Sequence, residues 1–322
     1  MPNIILTTDC QRRCSYCFAK GNENKDQKFK MKTYLKVMEF LKKSKTQEVG
    51  LLGGEPTLHP QYSNFLDIAL DRGFVVTTFT NGMLSGEKIE KINKIIHKRK
   101  LAPEKQKLFF LVNVNEEKDW MKNEGDLQAT FMRTFGGFVD LSFNIYHKEF
   151  DLNFLISLIK EYKLFPKIRI GLAAPLGNKN EFLLTEYYKE VAEKLVAFTD
   201  ERIKNRIVLH FDCGFPLCMF TEGQLGKLFK SYMRNFRFYC EPIIDVYPDL
   251  EISHCYPLSN VHKKNLSEFQ DMGEVYSYFK KFSYGLKEKV KRLYPECHDC
   301  VHYGQMCAGG CLSTMLKQEG LI

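Results

Sequence analysis

The residues best suited to chemistry are three cysteines near the N-terminus, Cys10, Cys14 and Cys17, in the spacing C-x3-C-x2-C. Three thiolates this close along the chain are suited to hold a metal. A structural zinc ion takes four ligands, and the next histidine after the triplet is His59. A [4Fe–4S] cluster held by three cysteines instead leaves one iron free for a substrate or cofactor to chelate. A zinc knuckle completed from elsewhere and free thiols clustered by chance are the alternatives.

Eight further cysteines follow residue 210, and the last four have the spacing C-x2-C-x6-C-x3-C: Cys213, Cys218, Cys240, Cys255, Cys297, Cys300, Cys307 and Cys311. As an isolated motif, this spacing is also compatible with a zinc knuckle. A small secreted protein would use so many cysteines for disulfides. The length of 322 residues and the lack of a signal-peptide pattern favour metal or redox chemistry instead.

Alternating strand and helix patterns precede these cysteines and must position the reactive groups. Apolar β-rich runs predict strands at 3–8, 48–52, 74–80, 108–114, 139–145 and 168–173. Helical spacing predicts helices at 32–43, 62–70, 87–97, 152–162 and 181–198, with a helical and loop segment at 120–135. Six such alternations predict an α/β fold with a parallel sheet, here a partial (β/α)6 TIM-type barrel. Beyond residue 208 the pattern is irregular, so we expect a barrel at 1–205 and a small cysteine-rich cluster-binding domain at 206–322.

Composition limits the classes of protein to consider. The chain is 44% apolar and 27% charged, which is ordinary for a globular protein and excludes disorder, collagen-like repeats and coiled coils. Its 47 basic and 39 acidic residues give a net charge of +8, but each cysteine-ligated cluster would add roughly −2. The basic residues are scattered, which disfavours a nucleic-acid partner. The longest apolar run, 108–112, is too short to span a bilayer, so we expect a cytoplasmic protein without membrane contact.

A second motif, Gly53-Gly54-Glu55-Pro56, lies one β/α unit after the cysteine loop. Adjacent glycines let main-chain carbonyls approach a ligand closely, and Glu55 offers a countercharge for an ammonium group. Together with the segment CQRRCSYCF at 10–18, which has Tyr16 before its third cysteine, this GGEP motif resembles the radical SAM superfamily. The resemblance covers about residues 1–200 and implies a [4Fe–4S] cluster on the cysteine triplet, with S-adenosylmethionine bound through its amino group by GGEP.

Further cofactor contacts are implied at the ends of later strands. Asn81, in Thr80-Asn81-Gly82, lies where the family has its third strand. Asn113 and Asn115 end the fourth strand, where the family often places a polar residue on the ribose or carboxylate, and Asn144 lies on the fifth. The alternative for each asparagine is a strand-end cap or a satisfied turn.

The chemistry that the resemblance implies is radical formation. The reduced cluster donates an electron to the sulfonium, and the resulting 5′-deoxyadenosyl radical abstracts a hydrogen from the substrate. The protein holds these partners in contact and excludes water and oxygen. No catalytic acid or base is assigned, because Asp140, Asp151 and Asp212 are equally explained as caps or surface groups.

The second cysteine field resembles the SPASM extension of radical SAM enzymes, which binds auxiliary [4Fe–4S] clusters. Residues 244–254, between Cys240 and Cys255, match the extension's upstream hairpin. By analogy Cys240, Cys255 and Cys311 share the nearer cluster with Cys213 or Cys218, and Cys297, Cys300 and Cys307 hold the farther one. Eight thiolates suffice for two complete clusters. A single cluster, as in the shorter twitch variant, is the alternative, in which Cys213 or Cys218 is a free thiol that donates a hydrogen atom.

The resemblance implies an enzyme that modifies a peptide or protein by a thioether or carbon–carbon crosslink or by side-chain oxidation. Its partners would be that substrate, a flavodoxin- or ferredoxin-type reductant and a separate leader-recognition protein, since the chain begins almost at its first strand. Anaerobic sulfatase maturation and modification of a small metabolite are alternatives. A non-catalytic iron–sulfur electron carrier is the alternative from another class, although a carrier needs neither a vacant iron nor GGEP.

Overall fold

A single mixed sheet organises the computed structural model, which describes residues 1–19, 27–176, 179–230, 238–290 and 292–322. Seven strands run parallel in chain order: β1 (Asn3–Ile5), β2 (Glu48–Leu52), β3 (Val75–Thr80), β4 (Leu108–Asn113), β5 (Val139–Ile145), β6 (Lys167–Leu172) and β7 (Val208–Phe211). Parallel neighbours in chain order require crossovers, which the intervening helices supply. The α/β fold with a partial barrel is therefore confirmed.

The helices are amphipathic and bury one side each. Their bounds are α1 (Met31–Lys43), α2 (Tyr62–Asp71), α3 (Gly86–Lys98), α4 (Glu124–Phe135), α5 (Asn153–Tyr162), α6 (Tyr188–Lys204), α7 (Glu222–Lys230), α8 (Met272–Lys287) and α9 (Leu312–Gln318). In α3, for example, Ile89, Ile92 and Ile96 are buried at the spacing of three to four residues that lines one helix face. The helix predicted at 181–198 begins later than predicted, because Thr185–Tyr187 form a single 3-10 turn before α6. It also ends later, at Lys204.

Two strands differ from the prediction. β1 ends at Ile5, because Thr7 already forms an antiparallel bridge with Lys28 as the chain turns toward the cysteine loop. β7 lies where the sequence pattern indicated irregular structure, and its four residues pair in parallel with β6. The barrel sheet thus extends past residue 205, while the boundary between two domains at that position stays a prediction.

The C-terminal region continues the same sheet at its other edge. β8 (Asp245–Val246) and β9 (Glu251–Ser253) form an antiparallel pair, which confirms the predicted hairpin, and β10 (Lys263–Asn265) pairs with β9. β8 also pairs in parallel with β1, with Val246 opposite Ile4. Within the described ranges, no helix has both the length and the apolarity needed to cross a membrane.

Candidate functional site

The cysteine triplet lies in the loop after β1, at the carboxyl end of a strand flanked by β2 and β8. The Cys17 amide donates to the Cys14 carbonyl over 3.2 Å, and the Ala19 amide donates to Cys17 Sγ over 3.4 Å. These bonds form a compact turn around Cys14 and Cys17. The carboxyl ends of parallel strands are also where α/β barrels carry their active sites.

The spacing of the three sulfurs argues against a single zinc ion. Sulfurs bound to one zinc lie at most about 4.6 Å apart, because each Zn–S bond is about 2.3 Å. Among the described residues, the one trio of cysteine, histidine or acidic side chains with ligand atoms within 4.8 Å of one another is Glu116, Asp119 and His147. The three cysteines nevertheless interact electrostatically. Part of Cys10 faces solvent, but lost solvation, with smaller contributions from Glu55, Cys17 and Cys14, raises its thiol pKa to about 12. A soft donor set of this breadth fits an iron–sulfur cluster.

Two asparagine amides point at sulfurs of the triplet. Asn81 Nδ2 lies 3.9 Å from Cys10 Sγ, and Asn115 Nδ2 lies 3.9 Å from Cys14 Sγ. Both donors are buried residues at the ends of β3 and β4. Hydrogen bonds to ligand sulfurs are one means by which a protein sets the reduction potential of a cluster. The structure therefore places two of the predicted asparagines against the sulfurs of the triplet.

The GGEP motif packs directly on the cysteine loop. The Gly54 amide donates to the Thr7 carbonyl over 2.8 Å, and the Glu55 amide donates to the Asp9 carbonyl over 2.7 Å. A Cβ on Gly53 would lie 2.3 Å from the Thr7 carbonyl oxygen, and one on Gly54 would lie 2.4 Å from that of Asp9. The glycine pair is thus required by its contact with the loop, in addition to any contact with a cofactor. Pro56 then begins a single 3-10 turn.

The Glu55 carboxylate connects the ends of β2 and β3. It is 1% exposed and accepts hydrogen bonds from the Thr57 amide and hydroxyl, the Thr80 hydroxyl and the Asn81 amide. Burial raises the pKa of Glu55, while these hydrogen bonds lower it. The structure shows a buried anchor for the strand ends, and the role of Glu55 as countercharge for an ammonium group stays a prediction.

A continuous polar strip links the cysteine loop to β4 and β5. Tyr16 donates to Asn115 Oδ1 over 2.6 Å, and Asn113 Nδ2 donates to the Tyr16 hydroxyl over 2.7 Å. Asn144 Nδ2 donates to Asn113 Oδ1 over 2.8 Å. Asn113, Asn115 and Asn144 are therefore brought together, with Tyr16 between them, at the edge of the sheet that carries the triplet.

A buried ion pair that the sequence patterns did not predict lies beneath this strip. Arg12 pairs with Glu124 and also donates to the Asn113 carbonyl over 2.8 Å. Gln128 Nε2 donates to the carbonyls of Asn81 and Asn113, over 2.7 and 3.3 Å. Glu124 and Gln128 are one helical turn apart on α4. This polar pair on the buried side of the helix is the sequence feature from which the ion pair could have been predicted.

A second charged pair lies on the side of the barrel near the C-terminal cysteines. Arg169, on β6, pairs with Asp212, which directly follows β7 and precedes Cys213. Their side chains remain 22% and 27% exposed, respectively. This pair therefore offers charged groups to a ligand between the barrel and the second cysteine field.

The eight C-terminal cysteines fall into two electrostatic neighbourhoods. Burial raises the pKa of Cys213 well above its ordinary value, and Asp212, Cys311, Cys240 and Cys255 raise it further. Cys240 and Cys311 act on Cys255 in the same way. Separately, Cys307 and Cys300 raise the pKa of Cys297, for which burial is the main cause. A cavity of about 940 Å³ is lined by Cys240 from the first neighbourhood and Cys307 from the second.

Comparison with known proteins agrees with this site. Residues 4–99 match the model of the radical SAM superfamily. The S-adenosylmethionine-dependent nucleotide dehydratase of Selenomonas ruminantium is 31% identical over 83 residues, which are 26% of this chain and 30% of that protein. The 7-carboxy-7-deazaguanine synthase of Clostridium acetobutylicum is 32% identical over 85 residues, 26% of this chain and 38% of that protein. These matches span less than half of either relative.

The chain therefore carries a radical SAM domain, which implies S-adenosylmethionine and a [4Fe–4S] cluster as cofactors. Over nearly its whole length, its fold is similar to that of Streptococcus suis SuiB bound to S-adenosylmethionine, with a TM-score of 0.68 and 17% identity over 98% of this chain and 73% of SuiB. The structure of anSMEcpe with bound AdoMet has a TM-score of 0.66 and 15% identity over 96% of this chain and 88% of that one. At these identities the likeness shows the fold.

Proposed function

We propose that this protein is a radical SAM enzyme that abstracts hydrogen from a peptide or protein substrate during post-translational modification. The observation that carries the proposal is the docking of the Gly54 and Glu55 amides onto the loop that presents Cys10, Cys14 and Cys17. When bound, the reduced cluster and S-adenosylmethionine supply a carbon-centred radical that removes hydrogen from the substrate.

The residues of the chain hold and shield this chemistry. Cys10, Cys14 and Cys17 would hold the cluster, and the amides of Asn81 and Asn115 donate toward two of these sulfurs. The polar strip of Asn113, Asn115 and Asn144, together with the GGEP edge, would orient the nucleotide and its methionine moiety. Because the Asn and Tyr16 groups already bond to one another, they are preorganised, which reduces the entropic cost of binding.

A peptide substrate is favoured by the fold and by the charges beside the barrel. SuiB bound to its precursor peptide SuiA matches this chain with a TM-score of 0.68 over 98% of its length. The partly exposed pair of Arg169 and Asp212 can bind polar groups of a peptide next to the first auxiliary cysteines. Auxiliary clusters would accept the second electron of a net oxidation, with a flavodoxin- or ferredoxin-type reductant as donor and a separate protein recognising the leader. The reducing cytosol suits so many thiols.

Radical formation is tested by anaerobic incubation of reconstituted protein with S-adenosylmethionine and dithionite. We expect 5′-deoxyadenosine from the native protein and from Arg13→Ala, a control at an exposed position of the same loop. We expect none from Cys14→Ala, because one ligand of the cluster is removed. Native protein with full iron content that yields no 5′-deoxyadenosine would favour the electron carrier.

The peptide assignment needs its own experiment. A short peptide encoded beside this gene is incubated with the active protein and examined by mass spectrometry. We expect a mass decrease of two hydrogen atoms, because a crosslink or side-chain oxidation removes them. An unchanged peptide in a reaction that forms 5′-deoxyadenosine would favour the small-metabolite alternative or sulfatase-type maturation.

A further inference from the structure

Cys213 and Cys218 lie five residues apart, yet the chain directs them to different neighbours. Gly214, directly after Cys213, has a φ of +104°, a conformation that glycine adopts without strain. A Cβ on Gly214 would lie 3.7 Å from Cys311 Cβ and 3.8 Å from Leu172 Cβ. The residue directly after Cys213 therefore lies against the last cysteine of the chain and against the end of β6, and Cys311 also interacts electrostatically with Cys213.

Cys218 lies instead against the cysteines of the C-x2-C-x6-C segment. The Leu217 amide donates to Cys307 Sγ over 3.4 Å, and Leu217–Met219 form a single 3-10 turn that fixes Cys218 next to this contact. Cys297 and Cys307 are also the two cysteines that interact electrostatically with Cys218. Two independent kinds of observation, a hydrogen bond and the electrostatic neighbours, therefore place Cys218 with the second neighbourhood.

We propose that Cys218 is the fourth ligand of a second auxiliary [4Fe–4S] cluster, which it completes with Cys297, Cys300 and Cys307. Cys213 then completes the first auxiliary cluster with Cys240, Cys255 and Cys311. Both clusters are satisfied by the eight cysteines of this region, and Cys218 is not a free hydrogen-donating thiol. The assignment rests on the iron–sulfur part of the proposed function and is independent of cleavage of S-adenosylmethionine.

The surrounding charges suit two clusters side by side. A cluster with four cysteine ligands carries a charge of roughly −2. Lys189, whose Nζ bonds to the Cys218 carbonyl, and Arg292, which interacts electrostatically with Cys297, place positive charge beside the second ligand set. The buried Tyr188 on α6 interacts electrostatically with both Cys311 and Cys218.

Thiol alkylation tests the assignment on the native, cluster-loaded chain. Cys218 is exposed, so a free thiol there would react readily with iodoacetamide under anaerobic conditions. We expect Cys218, Cys297, Cys300 and Cys307 to be labelled at least about tenfold more slowly in loaded protein than after removal of iron, because metal-bound thiolates are protected. Equal labelling of Cys218 before and after iron removal, with or without protection of the other three, would overturn the proposal.

A crossed pair of variants separates the two ligand sets. In protein carrying Cys240→Ala, Cys255→Ala and Cys311→Ala, about eight irons should remain, at four per cluster. Adding Cys218→Ala should leave the remaining auxiliary cluster with three cysteine ligands and one open iron, so this cluster should lose its iron faster to a chelator, while adding Cys213→Ala should leave the rate unchanged. The reverse result would overturn the assignment. Formation of 5′-deoxyadenosine by native protein is measured separately, so failure of the enzyme hypothesis and failure of this ligand assignment give different results.

Discussion

Replacing Arg12 by alanine should destabilise the protein strongly, because it leaves a buried carboxylate without its partner. The side chains of Arg12 and Glu124 are 4% and 0% exposed, and breaking a buried pair from one side costs about 3–5 kcal/mol. Glu124 keeps one hydrogen bond, from the Met121 amide at 3.0 Å, which favours the lower part of that range. The Asn113 carbonyl also loses its 2.8 Å bond to Arg12, so the polar strip above the pair loses support.

Thermal unfolding of cluster-loaded protein, followed anaerobically by circular dichroism, measures this cost. At about 2 °C per kcal/mol for a large domain, Arg12→Ala should lower the midpoint by about 6–10 °C. The exposed neighbour Arg13 gives the control, since Arg13→Ala should change stability by no more than about 0.5 kcal/mol. The double variant Arg12→Met with Glu124→Met should recover most of the loss, because apolar replacement of both partners removes the unpaired charge. Equal midpoints for Arg12→Ala and Arg13→Ala, or no recovery in the double variant, would refute this reasoning.

Four other substitutions test the site and its surroundings. Asn81→Leu and Asn115→Leu should each lower the reduction potential of the N-terminal cluster by roughly 20–60 mV in an EPR-monitored titration. Each variant loses a hydrogen bond of about 0.5–1.5 kcal/mol that favours the more negative, reduced state of the cluster. An unchanged potential would contradict the N–H···S assignment. Gly54→Ala should reduce iron by about four per chain, because its Cβ would lie 2.4 Å from the Asp9 carbonyl, whereas Gly223→Ala, with nothing within 4 Å, should keep full iron. Asp245→Asn should stabilise the protein at pH 7, because burial raises the pKa of Asp245 from 3.8 to about 6. The free energy of unfolding therefore falls as the pH rises from about 4 to 6. At 1.36 kcal/mol per pKa unit, this loss is at most about 3 kcal/mol. The gain, measured by urea unfolding, should shrink as the pH is lowered from 7 toward 5.5, and a gain independent of pH would contradict it.

Local patterns predicted much of this fold because the strand and helix periods are local properties. β4 is a largely buried apolar run, β3 alternates partly buried and buried residues, and β5 is buried at all but one residue. The isoleucines of α3 lie on one face, so each of these elements is predicted from a few neighbouring residues. β7 has only four residues, with Val208 half exposed. So short a strand is set by its pairing with β6, which a local pattern does not contain.

The residues of the site likewise comprise local motifs, which the sequence predicts, and contacts between distant residues, which it does not. The cysteine triplet and GGEP are contiguous motifs, and their resemblance to the radical SAM superfamily implied the cofactor chemistry. The Arg12–Glu124 pair joins residues 112 positions apart, and such pairing depends on the packing of α4 against the loop. The choice between Cys213 and Cys218 stayed open for a related reason: the left-handed turn at Gly214 and the 3-10 turn at Leu217–Met219 separate two cysteines that are equivalent in the sequence.

Cys10, Cys14 and Cys17 are proposed to hold a cluster with one iron open to S-adenosylmethionine. Electron–nuclear double resonance on the dithionite-reduced protein, with S-adenosylmethionine labelled with ¹⁵N at its amino group, detects binding of that amino group to the open iron. We expect a ¹⁵N hyperfine coupling to the cluster that is present in native protein and in Arg13→Ala and absent from Cys14→Ala. A reduced, fully loaded native protein without this coupling would contradict this proposal.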